Sequence, residues 1–382
     1  MKNLLMIGAS ERHKELMKAF KEQSSKVFII AIDKDKNATG KQYADVFVPV
    51  SITDMDSALL VAKDFDIDGC VAIPDIGAET GAYINSSLGL KGIKHPTYLK
   101  MTDKRLSKHC FKRAGITIPA SYPEGSFPYI SKPVDSTGSN GVVKIENNDH
   151  FAHFLTSGKP FALGSIILEE FIEGDMFSVD LMMQDSNIKY SLVQDRFLGY
   201  DNCFVDGLIV SPSRYDSYLD KILPICEKAL ASLDFTDGPA NLQFIARDGE
   251  FYLIEVNPRI SGPYGIECHT MSTHVDWFYD IVMSALGDKV LNAHIQALNQ
   301  PNALITIGAK GNGIISHVTY PEITGTVDGY WRWKEDGDYV NKISSVKDSI
   351  EHIFIMENNL MSVMDRAYTI LNETRVYFGR NE

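Results

Sequence analysis

Over the first hundred positions, short apolar, β-branched-rich runs alternate with polar amphipathic segments. "LLMIGA", "KVFIIAID", "VFVPV" and "CVAIP" are bounded by Gly, Asp or Pro, and between them lie segments such as Glu11–Gln23 and Asp56–Phe65. Strands and helices in alternation predict a parallel sheet with helices on its faces, an α/β class of fold. Asp75 and Glu79 in "IPDIGAETGAY" follow the fourth run, where open α/β sheets bind ligands. A turn or a helix N-terminus accounts for them equally well.

The pattern then changes. "TDKRLSKHCFKRAG" reads as a helix capped by Thr102 or Asp103 and stopped by Gly115. A proline-bearing connector, "ITIPASYPEGSFP", leads into two strand-like runs within Tyr129–Ile145, separated by the loop "DSTGSNG". A short helix over Asp149–Thr156, a strand "SIILEEFI" and a strand pair "MFSVDLMMQ" and "IKYSLVQDRF" follow. Ser217–Leu233 has the pattern of a longer helix, and "ANLQFIARDGEFYLIEVNPRISGP" that of a hairpin. Beyond residue 300 the pattern is mixed, with one helix near Leu360–Leu371.

The hairpin carries the most chemistry. A two-residue Asp248-Gly249 turn sets Gln243 opposite Ile254 and Leu242 opposite Glu255, which mixes the faces. A three-residue turn, Asp248 to Glu250, pairs Leu242 with Val256, Phe244 with Ile254 and Ala246 with Tyr252, giving one apolar face. The other face then sets Gln243 across from Glu255 and Asn241 across from Asn257. Alternation continues Glu255, Asn257 and Arg259 along the same side. Polar groups on a half-buried strand face need partners. Oxygen ligands at this spacing suit Mg²⁺, and Arg259 is placed to hold a developing anion beside it. A solvated sheet face with an incidental salt bridge is the plain alternative.

Composition narrows the classes. The chain has 382 residues, enough for two or three domains, with 44% hydrophobic and 23% charged positions. No apolar run approaches the ~18 residues that span a bilayer, and "MKNLLMIGAS" reads as a first strand rather than a signal peptide. Five scattered cysteines without a C-x-x-C predict free thiols in a reducing cytoplasm. A net charge of −13 argues against nucleic-acid binding. After the first strand only Gly8 is present of the three glycines a dinucleotide fingerprint needs, so "GASERH" with Asp33 is a weak cofactor signal. His269 and His274 lie five apart, off a shared helical face, which disfavours zinc and fits a structural or surface role better than an acceptor pocket.

Lys132 and the "DSTGSNG" loop combine free backbone N–H groups, the hydroxyls of Ser136 and Ser139, the glycines Gly138 and Gly141, and a cation. Polyphosphates require such a set. The order differs from G-x-x-x-x-G-K-[ST], so a P-loop is excluded. Between two strands the loop reads as a flap over a nucleotide, or as an ordinary long hairpin loop. In "ILEEFIEGD" an acidic, apolar-alternating strand runs to Gly174. Backbone groups from Glu170 to Ile172 are suited to an adenine edge, with Phe171 or Ile172 on its face.

In combination, "KPVDSTGSNGV", "EEFIEGDMFSVD" and "NLQF…LIEVNPRISG" resemble the ATP-grasp superfamily. The likeness is to the branch with carbamoyl-phosphate synthase large subunits, biotin carboxylases and amino-acid ligases. It covers residues 1–290 well and the tail weakly. It implies a Rossmann-like N-terminal domain (1–102), a linking helix (103–118), an ATP-grasp lid (119–171) and a C-terminal ATP-grasp domain (172–382). It also implies ATP with one or two Mg²⁺ ions, or Mn²⁺ in their place. Lys104 and Lys132 resemble the residues on the nucleotide phosphates, and Gly138 to Gly141 the flap. Glu169, Glu170 and Ile172 match the adenine hinge, and Gln243, Glu255 and Asn257 the metal positions. Arg259 matches the arginine beside the reactive acyl or carboxy phosphate, and with Lys132 forms the catalytic pair. Gln243 stands where many members have glutamate. Met176 occupies the usual ribose-acid place, with Asp175 as its substitute.

The implied activity is an ADP-forming ligase joining a small carboxylate, an amino acid by preference, to an amine. The runner-up is a bicarbonate-dependent carboxylase or carbamoyl-phosphate-synthase-like enzyme that forms carboxyphosphate. The expected partners are small molecules and a second copy of the chain, since dimers are common in the family; no nucleic acid or membrane is expected.

Overall fold

The structure is a computed structural model that describes residues 1–156, 166–201, 203–291, 295, 298–322 and 325–379. Its N-terminal sheet is parallel, with strand order β3-β2-β1-β4. The strands are β1 (Lys2–Ile7), β2 (Val27–Ile32), β3 (Val46–Val48) and β4 (Gly69–Ala72). These strands are apolar at successive positions because both faces are covered. Leu4, Met6, Ile29 and Ala31 enter one core, whereas Leu5, Ile7, Ile30 and Ile32 enter another. The flanking helices are α1 (Lys14–Gln23), α2 (Met55–Asp64) and α3 (Asp75–Leu88). The segment expected to be helical from Glu11 begins as a 3₁₀ turn over Glu11–His13. Asp75 lies in the first turn of α3, at a helix N-terminus.

Two short helices lead out of this sheet: α4 (His95–Thr102) and α5 (Lys104–Arg113). Asp103 caps α5 by accepting from the N–H groups of Arg105 and Leu106. Next comes a three-stranded sheet of order β6-β5-β7, built from β5 (Tyr129–Pro133), β6 (Val143–Ile145) and β7 (Ile166–Glu170). It carries α6 (Asn148–Thr156). Tyr129, Ile145 and Phe154 form its small core. Ser165, the first residue of the expected strand, lies outside the described residues.

The largest sheet begins with β8 (Asp175–Gln184), β9 (Asn187–Leu198) and β10 (Asp206–Ser211). After α7 (Leu219–Ser232) come β11 (Gly238–Arg247) and β12 (Glu250–Asn257). The helix expected from Ser217 starts at Leu219, preceded by a 3₁₀ turn. The chain continues through α8 (Gly265–Thr273), α9 (Trp277–Ala285), β13 (Asn302–Gly308), β14 (Gly313–Thr319), β15 (Gly329–Arg332), β16 (Tyr339–Val340), β17 (Ser349–Met356), α10 (Leu360–Glu373) and β18 (Arg375–Phe378). Eight strands pair in the order β12-β11-β8-β9-β10-β13-β17-β15, and β16-β14-β18 form a separate small sheet. One face of the large sheet is apolar: Phe177, Val179, Leu242, Phe244 and Val256 pack with Ile222, Cys226 and Leu230 of α7. Burial of this face is the main force holding α7 to the sheet.

The hairpin of β11 and β12 corrects the expected turn. Asn241 opposes Asn257, Leu242 opposes Val256 and Gln243 opposes Glu255, as expected, but Phe244 then opposes Leu253 and Ala246 opposes Phe251. The turn is therefore the two-residue Asp248-Gly249 type. Both residues have positive φ (52° and 83°), as the hairpin twist requires. The difference is absorbed by a bulge at Ile254, between the two registers. Phe251 and Leu253 thus reach the core together with Val256, and Glu255 turns to the opposite face.

Candidate active site

The site is built where α5, the small sheet and the polar face of the large sheet meet. The buried stripe of α5 is Lys104, Ser107, Lys108 and Phe111, at the spacing of an apolar helix face but with two lysines in it. Lys104 Nζ lies 3.0 Å from Glu255 Oε1 on β12 and donates to Ser136 O in the glycine loop at 2.6 Å. Lys108 Nζ lies 2.9 Å from Glu169 Oε1 and 3.2 Å from Leu253 O. Lys132, on β5, places its Nζ 2.8 Å from the other oxygen, Glu169 Oε2. Glu169 is thus a buried carboxylate, 2% exposed, with one lysine on each oxygen.

Charge decides how these groups titrate. Burial pushes the Glu169 carboxyl up, but the ammonium groups of Lys108 and Lys132 outweigh it and bring the pKa down to about 2. Glu255 is also held below its ordinary value: burial opposes ionisation, and Lys104, Lys132 and Arg259 overcome it. For Lys108 the balance runs the other way, since burial lowers its pKa despite Glu169.

The glycine loop is a β5–β6 hairpin connection, with Ser131 paired to Val143. Gly138, Ser139 and Gly141 all have positive φ, a conformation that favours glycine at two of the three places. The loop is docked rather than free-standing: Ser139 Oγ donates to Phe204 O at 2.5 Å, and Val346 N–H donates to Gly138 O at 3.1 Å. Ser136 Oγ closes it internally on Asn140 O at 3.0 Å. After β7, residues 171–174 cross from the small sheet to the large one. In the hinge, Glu170 N–H donates to Ala120 O and Phe171 N–H to Pro128 O, both at 2.8 Å. The Phe171 ring lies 4.5 Å below Lys144 Nζ, and Ile172 is buried. Asp175, at the start of β8, accepts from Tyr215 Oη at 3.0 Å and pairs with Arg214 at 3.1 Å.

The polar sheet face runs in rows set by strand register. Glu255, Gln243, Ser178 and Gln194 lie across four adjacent strands, and Asn257, Asn241 and Asp180 form the next row. Gln243 Nε2 donates to Asn241 Oδ1 at 3.3 Å, which leaves its Oε1 as an acceptor. Asp180 is the hub beneath: it accepts from Asn241 Nδ2 and Ser261 N at 2.9 Å and from Ser261 Oγ at 2.5 Å, and His269 Nε2 lies 2.7 Å away. His269 is therefore a buried partner of Asp180. Among the described residues no cluster of three His, Cys, Asp or Glu side chains suits a metal by itself. The set Gln243, Glu255 and Asn257 nevertheless fits Mg²⁺, an ion that takes amide and carboxylate oxygens and completes its shell from phosphates. Asn257 Nδ2 is buried without a partner. Rotating that amide by half a turn puts Oδ1 there, an acceptor for which a cation supplies the missing contact.

Arg259 departs from the expected strand alternation, because β12 ends at Asn257. Its Nε reaches back to Asp75 of α3 at 3.0 Å, and Nη1 donates to Ile260 O at 3.0 Å. The large sheet is thereby joined to the ligand-facing end of the N-terminal sheet.

Two participants escaped the sequence reading. Lys108 has a visible signal, a lysine four residues after Lys104 on the stripe where apolar side chains belong. Arg196 of β9, paired with Asp206, faces the same polar side, and its Nη1 has no hydrogen-bond partner among the described residues. Nothing short of the register reveals it.

An ATP-grasp domain family matches residues 101–263. An L-arginine-specific L-amino acid ligase of Bacillus subtilis is 25% identical over 369 residues, covering 85% of this chain and 86% of that protein. The crystal structure of an L-amino acid ligase from Bacillus licheniformis superposes with a TM-score of 0.82 at 17% identity, covering 100% of this chain and 99% of that one. The biotin carboxylase domain of a Hydrogenobacter thermophilus 2-oxoglutarate carboxylase, solved with MgADP and bicarbonate, gives a TM-score of 0.74 at 17% identity, over 98% and 90% of the two chains. At such identities the structural likenesses establish the fold. Residues 101–263 of the chain are an ATP-grasp domain, and among the chain's matches are proteins named as ligases and carboxylases.

Proposed function

We propose that the chain is an ATP-dependent carboxylate–amine ligase that activates a small carboxylate, that of an amino acid, as an acyl phosphate and joins it to an amine. The observation that carries this reading is the convergence of Lys104 and Lys132 with Glu255 across three separate elements. That arrangement suits a triphosphate held between a lid and a metal-binding sheet face. Lys104, Lys132 and the N–H groups around Gly138 to Gly141 take the phosphates. With Glu170 and Phe171 N–H groups engaged, the adenine edge falls to Ile172 N–H and the hinge carbonyls. Gln243, Glu255 and Asn257 would hold Mg²⁺, which when bound would neutralise phosphate charge.

A carboxylate oxygen attacks the γ-phosphorus and ADP leaves. The amine nitrogen then attacks the acyl carbon, and the C–O bond to phosphate breaks as the amine loses its proton. Arg259 stabilises the anionic centre, and Asp75 sets its direction from the N-terminal sheet. The protein supplies position and charge rather than a nucleophile. The division at 102/103, 118/119 and 171/172 follows the three main sheets, since none crosses those limits. The five thiols are unpaired and suit a reducing cytoplasm.

The test is a phosphate-release screen with Mg-ATP and paired amino and carboxylic acids, followed by mass analysis of the product. Release that requires both a carboxylate and an amine supports the ligase. Release that requires bicarbonate instead replaces it with the carboxyphosphate reaction.

A further inference from the structure

Lys108 stands outside the residues assigned above to phosphates or metal, yet its ammonium bridges two other elements of the site. Its ammonium lies 2.9 Å from Glu169 Oε1 and 3.2 Å from Leu253 O, two residues before Glu255. It therefore touches the lid sheet through β7, the metal-binding hairpin through β12, and its own helix α5. Its side chain is only 10% exposed and that of Glu169 3%, so this is a buried contact in which charge is not screened by water.

The count of charges gives the contact a purpose. Lys132 alone opposite Glu169 would be a neutral pair, its field cancelled where triphosphate oxygens must be held. With Lys108 on the second oxygen, held as an ammonium by its 2.9 Å contact with the carboxylate, the triad carries one net positive charge. The carboxylate is then satisfied without using up Lys132. Burying an ammonium and a carboxylate is costly, and an apolar side chain would fill the α5 stripe more cheaply. We infer that Lys108 is a positioning residue for nucleotide binding: by sharing Glu169 with Lys132 it keeps the Lys132 charge available to ATP and ties the lid to the Glu255 hairpin. The inference rests on the nucleotide reading of the site.

The experiment measures Mg-AMPPNP binding by calorimetry, and KM for ATP and kcat by ADP release. Four proteins are compared: wild type, Lys108→Met, Lys108→Arg and the double variant Lys108→Met/Glu169→Gln. Lys108→Met is expected to weaken Mg-AMPPNP about tenfold, the scale of one charge-assisted hydrogen bond, with KM for ATP rising more than kcat falls. Lys108→Arg should recover part of the loss. The double variant frees Lys132 of its counter-charge and should bind within about threefold of wild type, a margin under 1 kcal/mol. A purely structural role predicts no such recovery. Should Lys108→Met fail to fold, the double variant, whose triad keeps the single net positive charge of the wild type, decides alone. Wild-type affinity in Lys108→Met, or a double variant that binds ten times more weakly than wild type, overturns the inference. Absence of Mg-AMPPNP binding by the wild type overturns the nucleotide reading itself.

Discussion

The ammonium of Lys104 rests 3.0 Å from Glu255 Oε1, so a lysine assigned to phosphate and a carboxylate assigned to metal are paired with each other. The pairing holds the two groups in place by mutual attraction. Under the proposed assignment, Mg-ATP would bring both a cation for Glu255 and an anion for Lys104, and so exchange one ion pair for two. Glu255→Gln keeps the shape and removes the charge. It should cut Mg-dependent ADP release by about 100-fold or more, the scale at which loss of a preorganised electrostatic group is felt. A magnesium titration of ADP release checks this, and full activity in the variant would remove the metal assignment.

Lys132→Ala should act differently. Its ammonium is directed at Glu169 from β5 and lies beside the flap, so its loss falls on nucleotide affinity. KM for ATP is expected to rise about tenfold, with the smaller effect on kcat. Steady-state kinetics at varied ATP measure the split.

Asp180 is a stability prediction rather than a kinetic one. Its two oxygens serve Asn241, Ser261 and His269 in a fully buried position. Asp180→Leu strands those donors without acceptors and should cost about 3 kcal/mol. Chemical denaturation gives the number, and a loss below about 1 kcal/mol would contradict the hub.

Asp216 predicts a pH dependence. Burial, reinforced by the charge of Asp195, lifts its carboxyl from 3.8 to about 6. Between those values the folded protein keeps a proton that the unfolded chain has released, so Asp216 makes stability fall as pH rises through that window. Asp216→Asn should lose this contribution and be more stable than wild type at pH 7, with little difference near pH 4. Denaturation midpoints of the two proteins at both pH values test it, and parallel curves would count against it. Glu169 contributes with the opposite sign, since its depressed pKa makes stability fall as pH drops toward about 2.

Much of this site was legible in the chain because strand alternation is a strict rule. The apolar face through Leu242 and Val256 fixed Gln243 opposite Glu255 and Asn241 opposite Asn257, whatever happened at the turn. The glycines and Lys132 marked the flap through composition and order. Lys108 was harder to see, because a lysine-rich helix reads as a solvated face until its neighbours are known. Arg196 and Asp180 depend on which strands lie side by side, and pairing over distances in the chain of tens of residues leaves no local mark. Arg259 was expected on β12, but the strand ends at Asn257, and the arginine's partner, Asp75, lies 184 positions away.

The bulge at Ile254 has a consequence for how this hairpin can vary. It separates two registers, so the tip at Asp248-Gly249 and the carboxylate of Glu255 are set independently of each other. A residue added at the tip lengthens the turn, outside the pairs that hold Phe251 and Leu253 in the core. The Glu255 end of the hairpin is insulated from its exposed end, which makes the tip a tolerant place to attach a probe or tag while leaving the aim of Glu255 untouched.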